Sequence, residues 1–465
     1  MTWVVIVGAG PAGLAAAEHA LRAGARVTVL DQSDAPGGQY HRRRYGRPHG
    51  FEGLVSRCEW WPESTVWALE AAAPGGRGAS APGDPRTGER NAQDAAAPGG
   101  SATGHRRAML RIHVLRGPAD GSGRTRYTLE PDALILATGA HDRTLPFPGW
   151  QLPGVFTAGA AQALAKGERV AVGRRVLVAG AGPFLLPVAA SLLAVGADVA
   201  GVLEANTAAT VLKGWGLQVR KTGELARYLA TLARHRVPYH LGRAVVEARG
   251  DERVREVVTA RVCADWSVVP GTERTHQVDA VCVGHGFTPQ PELAVAAGCV
   301  LDGGFVRVRD DQRTSVTGVF AAGEITGIGG ADAARAEGAV AGCAAAGGTP
   351  SRGLLRERDR TRAFAQRLKT AHPIGAAWAG WLRDDTIVCR CEETTYGRLK
   401  TAAADSVTPG SHALKLGTRA GLGPCQGRMC GPAVAELCGG VERHHRPIAQ
   451  PIRLGELADP KETPA

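Results

Sequence analysis

The sequence predicts an α/β protein built from two Rossmann-like dinucleotide-binding units, followed by a small helical domain around clustered cysteines. Three observations carry that prediction. A strand, a glycine-rich turn and an Ala/Leu-rich helix open the chain as VVIVGAGPAGLAAAEHA, and the pattern returns at Arg175 as VLVAGAGPFLLPVAASLL. Four of the ten cysteines then gather near the C-terminus, in VCRCEE and GPCQGRMCG.

The first unit is read in order. Val4 to Val7 is a short apolar run suited to a buried parallel strand, Ala12 to Ala23 has helical composition, and Arg26 to Leu30 supplies the next strand. Between strand and helix stands Gly8-Ala9-Gly10-Pro11-Ala12-Gly13. In such a turn the first glycine permits the tight bend, the second lets a pyrophosphate approach the backbone, and the third packs helix on strand. Asp31 ends the second strand, where a carboxylate can hold ribose hydroxyls.

Residues 71–107 are rich in Ala, Gly, Pro and Arg with few large apolar side chains, which predicts a flexible surface insertion. Strand-like segments flank it at Thr65 to Leu69, Met109 to Leu115 and Arg126 to Leu129, and Ala133 to Ala137 runs into Thr138-Gly139. The second unit keeps Gly180 and Gly182 but places Leu185 where the third glycine belongs, with Pro187 close behind. Leucine there crowds the helix–strand contact and proline removes an N–H. Glu204 ends the following strand and could still hold a ribose, so NAD(P)H, an adenine nucleotide or a purely structural role stay open. An amphipathic helix near Gly223 to His235 and strands through Val281 complete this unit, and Gly318 to Gly342 adds a last strand, turn and helix.

Cys389-x-Cys391 and Cys425-x4-Cys430 are separated by 33 residues. That spacing suits a 2Fe–2S cluster better than structural zinc, which more often uses Cys-x2–4-Cys pairs. The alternative is two unrelated pairs of buried thiols. Gly421, Gly423, Gly427 and Gly431 flank the second pair, as expected of a loop that wraps N–H groups around sulfur at positive φ. The other six cysteines, Cys58, Cys263, Cys282, Cys299, Cys343 and Cys438, are expected as core thiols.

With 465 residues, 44% hydrophobic and 21% charged, the chain has the composition of a soluble multidomain protein. Its net charge of +11 comes from dispersed arginines, densest in His41 to Arg47, and aromatics make up only 5%. A nucleic-acid binder concentrates such charge with interleaved aromatics, so the charge is read as a solvated surface or a face for an acidic partner. No apolar run is long enough to span a bilayer, and membrane-peripheral association stays open. The strand beginning at the third residue leaves no room for a targeting segment, and cysteines without a secretory signal suit a reducing compartment, so a cytoplasmic location is expected.

The ordered set GAGPAG, Pro36-Gly37-Gly38-Gln39, ATGAHDRTLPFPGW (Ala137 to Trp150) and TGVFAAGEITGIGG (Thr317 to Gly330) resembles the flavoprotein disulfide reductase superfamily across residues 1–345. The resemblance implies FAD on Gly8, Gly10, Pro11, Ala12, Gly13, Asp31, Gly38, Gln39, Thr138, Gly139, Gly323 and Glu324. In that superfamily the late AAGE/AAGD segment meets the ribityl–pyrophosphate region, and its helix directs an N-terminus at the flavin; here that helix starts near Ala331. The superfamily usually has Asp at position 324, and Glu still offers a carboxylate. Its redox cysteine pair is missing: Gln-Tyr-His follows Gly37-Gly38, and no Cys-x2-Cys occurs anywhere. Disulfide reduction by that chemistry is not expected.

CRCEETTYGRLKTA…GPCQGRMCGP resembles the bacterioferritin-associated ferredoxin-like domain, a small helical fold around one 2Fe–2S cluster. Joined to the flavin motifs, it resembles the FAD/iron–sulfur subunits of opine oxidases, hydrogen cyanide synthase and dye-linked proline or hydroxyproline dehydrogenases, and part of the heterotetrameric sarcosine oxidase alpha chain. The resemblance implies an FAD-dependent oxidoreductase subunit relaying electrons to the cluster. Its substrate, an amine, imino acid or opine, would sit on an amine-oxidase-type FAD partner, and a small ferredoxin-like subunit is a further candidate partner. No residue of this chain is assigned as catalytic. His141, Arg143 and Arg42 to Arg44 are read as loop residues facing solvent, the flavin or a partner. Two other readings stand beside this one: a self-sufficient NAD(P)H-dependent reductase, and a non-catalytic iron–sulfur scaffold. The expected division is 1–148 with 285–346 for FAD, 149–284 for the second unit, 347–384 as helical linker, 385–440 for the cluster, and 441–465 as a Pro-rich tail, frayed at its terminus.

Overall fold

The computed structural model describes residues 1–42, 50–71, 110–119, 121, 123–215, 222–405, 411–439, 448–458 and 462–464. The predicted insertion at 71–107 and the arginines Arg43 and Arg44 lie almost wholly outside them. Among the described residues two five-stranded sheets organise the chain. The first runs Val319–Ala321, Ala133–Leu136, Trp3–Val7, Arg26–Leu30, Glu59–Trp61, all parallel. Its central strands are buried on both faces, which is why they read as unbroken apolar runs rather than alternating ones. Helix α1 (Pro11–Arg22) crosses from Trp3–Val7 to Arg26–Leu30.

The second sheet repeats the plan: Tyr239–Leu241, Asp198–Glu204, Arg175–Gly180, Ala280–Gly284, Val155–Thr157. Helix α2 (Leu185–Leu193) is its first crossover and α3 (Ala208–Trp215) follows the second strand. The sequence therefore shows its duplication directly in the fold. One register difference separates the copies. Pairing of Arg175–Gly180 with Asp198–Glu204 skips Ala200, so Glu204 stands one residue further along than Asp31 does in the first unit.

Helix α4 (Gly330–Ala345) packs closely on α1, and small residues make this approach feasible. A Cβ on Gly338 would lie 2.0 Å from the Ala12 carbonyl oxygen, and one on Gly342 would lie 2.1 Å from that of Ala16. The next residue-level constraint is a buried carboxylate. Glu337, 4% exposed, accepts the Gly323 N–H (2.8 Å), the Thr326 hydroxyl (2.6 Å) and Arg362 Nε (2.6 Å). Arg362 belongs to the basic helix α5 (Arg352–Ala371), whose start is capped by Ser351 Oγ accepting the Leu354 N–H. The same guanidinium donates to Gln312, which in turn donates to the Ala321 carbonyl at the end of the edge strand Val319–Ala321.

A 3-10 turn at Ala376–Trp381 leads to the cysteine domain, where Ile387–Cys389 pairs with Thr394–Thr395 and helices Tyr396–Asp405, Ser411–Thr418 and α6 (Gly431–Leu437) follow. The tail differs from expectation. Its described residues dock on a separate sheet: Ile448 bridges Ala68, Glu462–Pro464 pairs with Thr125–Leu129, and Glu456 takes two 2.6 Å hydrogen bonds from Arg124. The bidentate ion pair, with both side chains nearly buried, gives the tail an anchor that its proline content concealed. Among the described residues no helix is long and apolar enough to cross a membrane.

Replacing Arg362 with Leu leaves the Glu337 carboxylate buried without its cation, and should lower unfolding free energy by about 2–4 kcal/mol in a denaturant titration. Adding Glu337→Gln should recover part of that loss; a double variant as unstable as the single would show that the charge pair is not the cause.

Candidate dinucleotide and cysteine sites

The first glycine turn is held by strand ends and by its own carboxylate. Gly8 has φ +102°, and a Cβ there would lie 2.3 Å from the Ala137 carbonyl oxygen. On Gly13 a Cβ would stand 1.8 Å from the oxygen of Gly8, so α1 can seat on its strand only with glycine at that position. Asp31 accepts the Ala9 N–H at 2.5 Å and the Ser33 N–H at 2.8 Å, while its side chain stays partly exposed. Pro36-Gly37-Gly38-Gln39 crosses over this turn: the Gly37 N–H donates to Ala9, and Gly38 approaches Gly10. Around Gly10 itself the space a side chain would occupy is empty.

Thr138 donates its hydroxyl to the Gln290 carbonyl, and the Gln290 N–H returns a bond to Gly139. Gly323 lies against Ala12, tying the late segment to the start of α1. Glu324 accepts the N–H of Gly330, the first residue of α4, and burial pushes its carboxyl above the usual range. The structure thus brings Gly8, Gly10, Pro11, Ala12, Gly13, Gly323 and Ala137 to one end of the first sheet.

The corresponding end of the second sheet is more enclosed. A Cβ on Gly180 would meet the Gly284 oxygen at 1.8 Å, matching Gly8 and Ala137. Leu185 is wholly buried, and Glu204 is without exposure. The Glu204 carboxylate accepts the Gly182 N–H at 2.7 Å, the Asn206 N–H at 3.0 Å and the Asn206 side-chain amide at 2.8 Å.

The four C-terminal cysteines converge as two pairs. Cys389 and Cys430 are hydrogen-bonded and buried, and Cys391 and Cys425 are hydrogen-bonded nearer the surface. The Cys430 contact, with N–H groups of Gly421, Glu392 and Cys391, draws the Cys389 thiol down to about 5 against its desolvation, and pushes Cys430 up. Of the flanking glycines, Gly421 and Gly427 do take positive φ. Gly423 serves differently: a Cβ there would fall 2.2 Å from Cys391 Cβ. Among the described residues no group of three or more His, Cys, Asp or Glu side chains is arranged as a metal site. Of the other six cysteines Cys282 and Cys299 are buried, whereas Cys263 is exposed in the turn after Glu256–Arg261.

Sequence reasoning missed the seat of this cysteine loop. It is the ATGAHDRTLPFPGW motif. His141 Nε2 lies 3.1 Å from the Arg428 carbonyl, and Thr144 donates to the Met429 carbonyl at 2.9 Å. Arg143 pairs with Glu436, and Trp150 Nε1 donates to the Ile387 carbonyl at 2.5 Å. Arg390 stacks over the Trp150 ring. Arg428, inside the Cys425–Cys430 loop, donates to Ala449 (2.7 Å) and Gln450 (3.2 Å) of the tail and pairs with Glu292. The one signal available was the run of polar side chains, Thr138 and His141 to Thr144, in a motif that follows a buried strand and ends in Trp150. Asp142, in the same motif, accepts the Gly159 N–H, and burial raises its carboxyl despite hydrogen bonds from Thr157, Gly159 and Ala160. His285 is buried nearby; desolvation, then the Arg143 charge, lowers its imidazole to about 3, so it packs as a neutral ring beside Trp266.

Truncating Arg428 to Ala removes the bonds from the cysteine loop to the tail. Amide exchange at residues 425–431 should rise on the order of 10-fold, measured by mass spectrometry, with exchange in α1 unchanged. Unaltered exchange in the loop would deny Arg428 its clamping role.

Known proteins are similar to this chain over nearly its whole length. Residues 87–338 match the pyridine nucleotide-disulphide oxidoreductase model, and residues 6–61 match an NAD(P)-binding Rossmann-like domain. An opine oxidase subunit of Agrobacterium tumefaciens (strain Ach5) is 32% identical, over 98% of this chain and 91% of that one. Hydrogen cyanide synthase subunit HcnB of Pseudomonas aeruginosa is 30% identical, over 92% of this chain and 90% of its own. Among solved structures, L-proline dehydrogenase from P. horikoshii shares the fold with a TM-score of 0.62 and 18% identity, covering 98% of this chain and 79% of that chain. The chain belongs to the pyridine nucleotide-disulphide oxidoreductase family, as an FAD-dependent oxidoreductase related along nearly its whole length to an opine oxidase subunit and HcnB.

Proposed function

We propose that this chain is the flavin and iron–sulfur subunit of a hetero-oligomeric dehydrogenase or oxidase for an amine, imino acid or opine, passing electrons from FAD to a 2Fe–2S cluster. The observation that carries the reading is the seating of the four cysteines. Two thiol pairs form, Cys389 with Cys430 and Cys391 with Cys425, and their neighbours Arg428, Met429 and Ile387 are bonded by His141, Thr144 and Trp150 of the segment that follows the strand Ala133–Leu136 of the first sheet. A 2Fe–2S cluster takes two thiolates per iron, and four thiols supply that number. The pairs are two and two.

FAD would be held by residues 1–148 and 285–346. Gly8, Gly10, Pro11, Ala12 and Gly13 offer the open backbone and helix start for its pyrophosphate, and Asp31, fixed by Ala9 and Ser33, would take the ribose. Gly38, Gln39, Thr138, Gly139, Gly323 and Glu324 complete the proposed set. Residues 149–284 form the second unit, 347–384 the linker and 385–440 the cluster domain, with the docked tail beyond. When bound, FAD accepts two electrons and the cluster carries one at a time. The protein's part is positional: Glu324 pins the start of α4, and Arg428 pins the cysteine loop.

The curated relatives are named as subunits, which supports a partner carrying the amine site, of the amine-oxidase type, with a small ferredoxin-like protein the second candidate. A cytoplasmic setting suits the free thiols.

Cys425→Ser should abolish the electron paramagnetic resonance signal of the reduced cluster and lower bound iron while FAD absorbance persists. Cys263→Ser, outside the loop, serves as the control and should change neither. Full cluster signal in the Cys425 variant would sink the ligand assignment, and a wild-type protein with neither flavin nor iron would sink the whole reading.

A further inference from the structure

The two dinucleotide units are near copies, and their differences fall at one place. In each, a carboxylate ending the second strand accepts two backbone N–H groups. Asp31 takes those of Ala9 and Ser33, and Glu204 takes those of Gly182 and Asn206. Each carboxylate reaches 22 residues back to the glycine turn, Asp31 to its second residue and Glu204 to its third, and each accepts the N–H two residues onward. Beyond that cradle the units part. The remainder of Asp31 stays accessible, whereas Glu204 also accepts the Asn206 side-chain amide and a ring N–H of His372, whose Nδ1 lies 3.1 Å away.

His372 directly follows α5, and its side chain is 8% exposed over a carboxylate that has no exposure. The helix cannot easily lift from this position. Gly214 of α3 lies so close that a Cβ on it would stand 2.2 Å from the Ala371 backbone nitrogen. At its other end α5 is tied through Arg362 to Glu337.

A second difference concerns the helix start. Gly8-Ala9-Gly10-Pro11 and Gly180-Ala181-Gly182-Pro183 are the same tetrapeptide, yet α1 begins at its proline while α2 begins two residues later, at Leu185. Leu185 is buried against Gly284. A dinucleotide needs a carboxylate with free lone pairs for its ribose and the amides of a helix start for its pyrophosphate. Here the first is spent on His372 and the second is drawn back. The residues do not fit the pyridine nucleotide that the family name implies.

We propose that His372 substitutes for a ribose hydroxyl on Glu204, so that the second unit is latched shut by the linker helix and the chain takes its electrons from a source other than NAD(P)H. A nucleotide entering the site must first break a hydrogen bond to a buried charge, which weakens its affinity on the order of 10- to 100-fold.

The test is direct binding of NADH and NADPH to the purified full chain, by calorimetry and by nucleotide fluorescence, with the wild type, His372→Ala and His372→Gln. The wild type should show no saturable binding at millimolar nucleotide and no bleaching of flavin absorbance under anaerobic conditions. His372→Ala should gain at least about 10-fold in affinity for one of the two nucleotides, and His372→Gln, which keeps an N–H donor, should resemble the wild type. Saturable micromolar binding by the wild type overturns the proposal whether or not the variants fold. So does an alanine variant, folded by circular dichroism, that binds no better than the wild type. Neither result touches the cysteine assignment, because the readout needs no cluster.

Discussion

The Glu337 carboxylate is the point on which the arrangement of helices depends. It is buried, so its charge is tolerated only because three donors converge on it: the Gly323 N–H, the Thr326 hydroxyl and the Arg362 guanidinium. Two donors come from one turn, Gly323 to Thr326, and the third from α5, which makes the pairing a device for registration. The backbone N–H and the hydroxyl fix the late glycine turn, and the arginine fixes α5. Since Gly338 sits beside Glu337 and rests on the backbone of Ala12, the same few residues set how α4 lies on the first glycine turn. A buried ion pair adds little net stability compared with apolar packing, but it penalises every other placement of the turn, α4 and α5.

Much of the fold was legible because it obeys short-range rules. The strands Trp3–Val7, Arg26–Leu30, Ala133–Leu136 and Arg175–Gly180 announce themselves as short apolar runs beside glycine turns, and the structure places all four within two parallel sheets. The duplication could be read from two GAGP tetrapeptides. The spacing of the four cysteines did not show how they pair: the outer members of the set meet each other, Cys389 with Cys430, and the inner members likewise.

What the sequence hid is long-range. Nothing local to ATGAHDRTLPFPGW says that His141, Thr144 and Trp150 bond to residues more than 200 positions away. These contacts use backbone carbonyls as acceptors, and a carbonyl leaves no mark on residue type. The tail was misjudged for a related reason. Proline discouraged a strand, yet an edge position needs few N–H donors, so Pro464 can sit in Glu462–Pro464 beside Thr125–Leu129. His372 was invisible because a lone histidine after a basic helix has no pattern to distinguish it from a solvated one.

The Trp-bearing connector has a thermodynamic consequence. Trp266 and Trp381 lie stacked, 5.8 Å between centroids and 5° from parallel, and Trp381 Nε1 donates to the Trp266 carbonyl. Trp378, Trp381 and Ala433 are buried in one continuous apolar cluster with Leu177, Val281 and Val257 of the second unit. The cysteine domain therefore does not close a core of its own on that side; it borrows one. Loss of the chain from Ala376 onward would strip aromatic surface from the second unit, and melting of that unit would release the connector. The two should unfold as a single cooperative block, so selection on either is selection on both, and neither module is free to be traded between chains without a new aromatic partner.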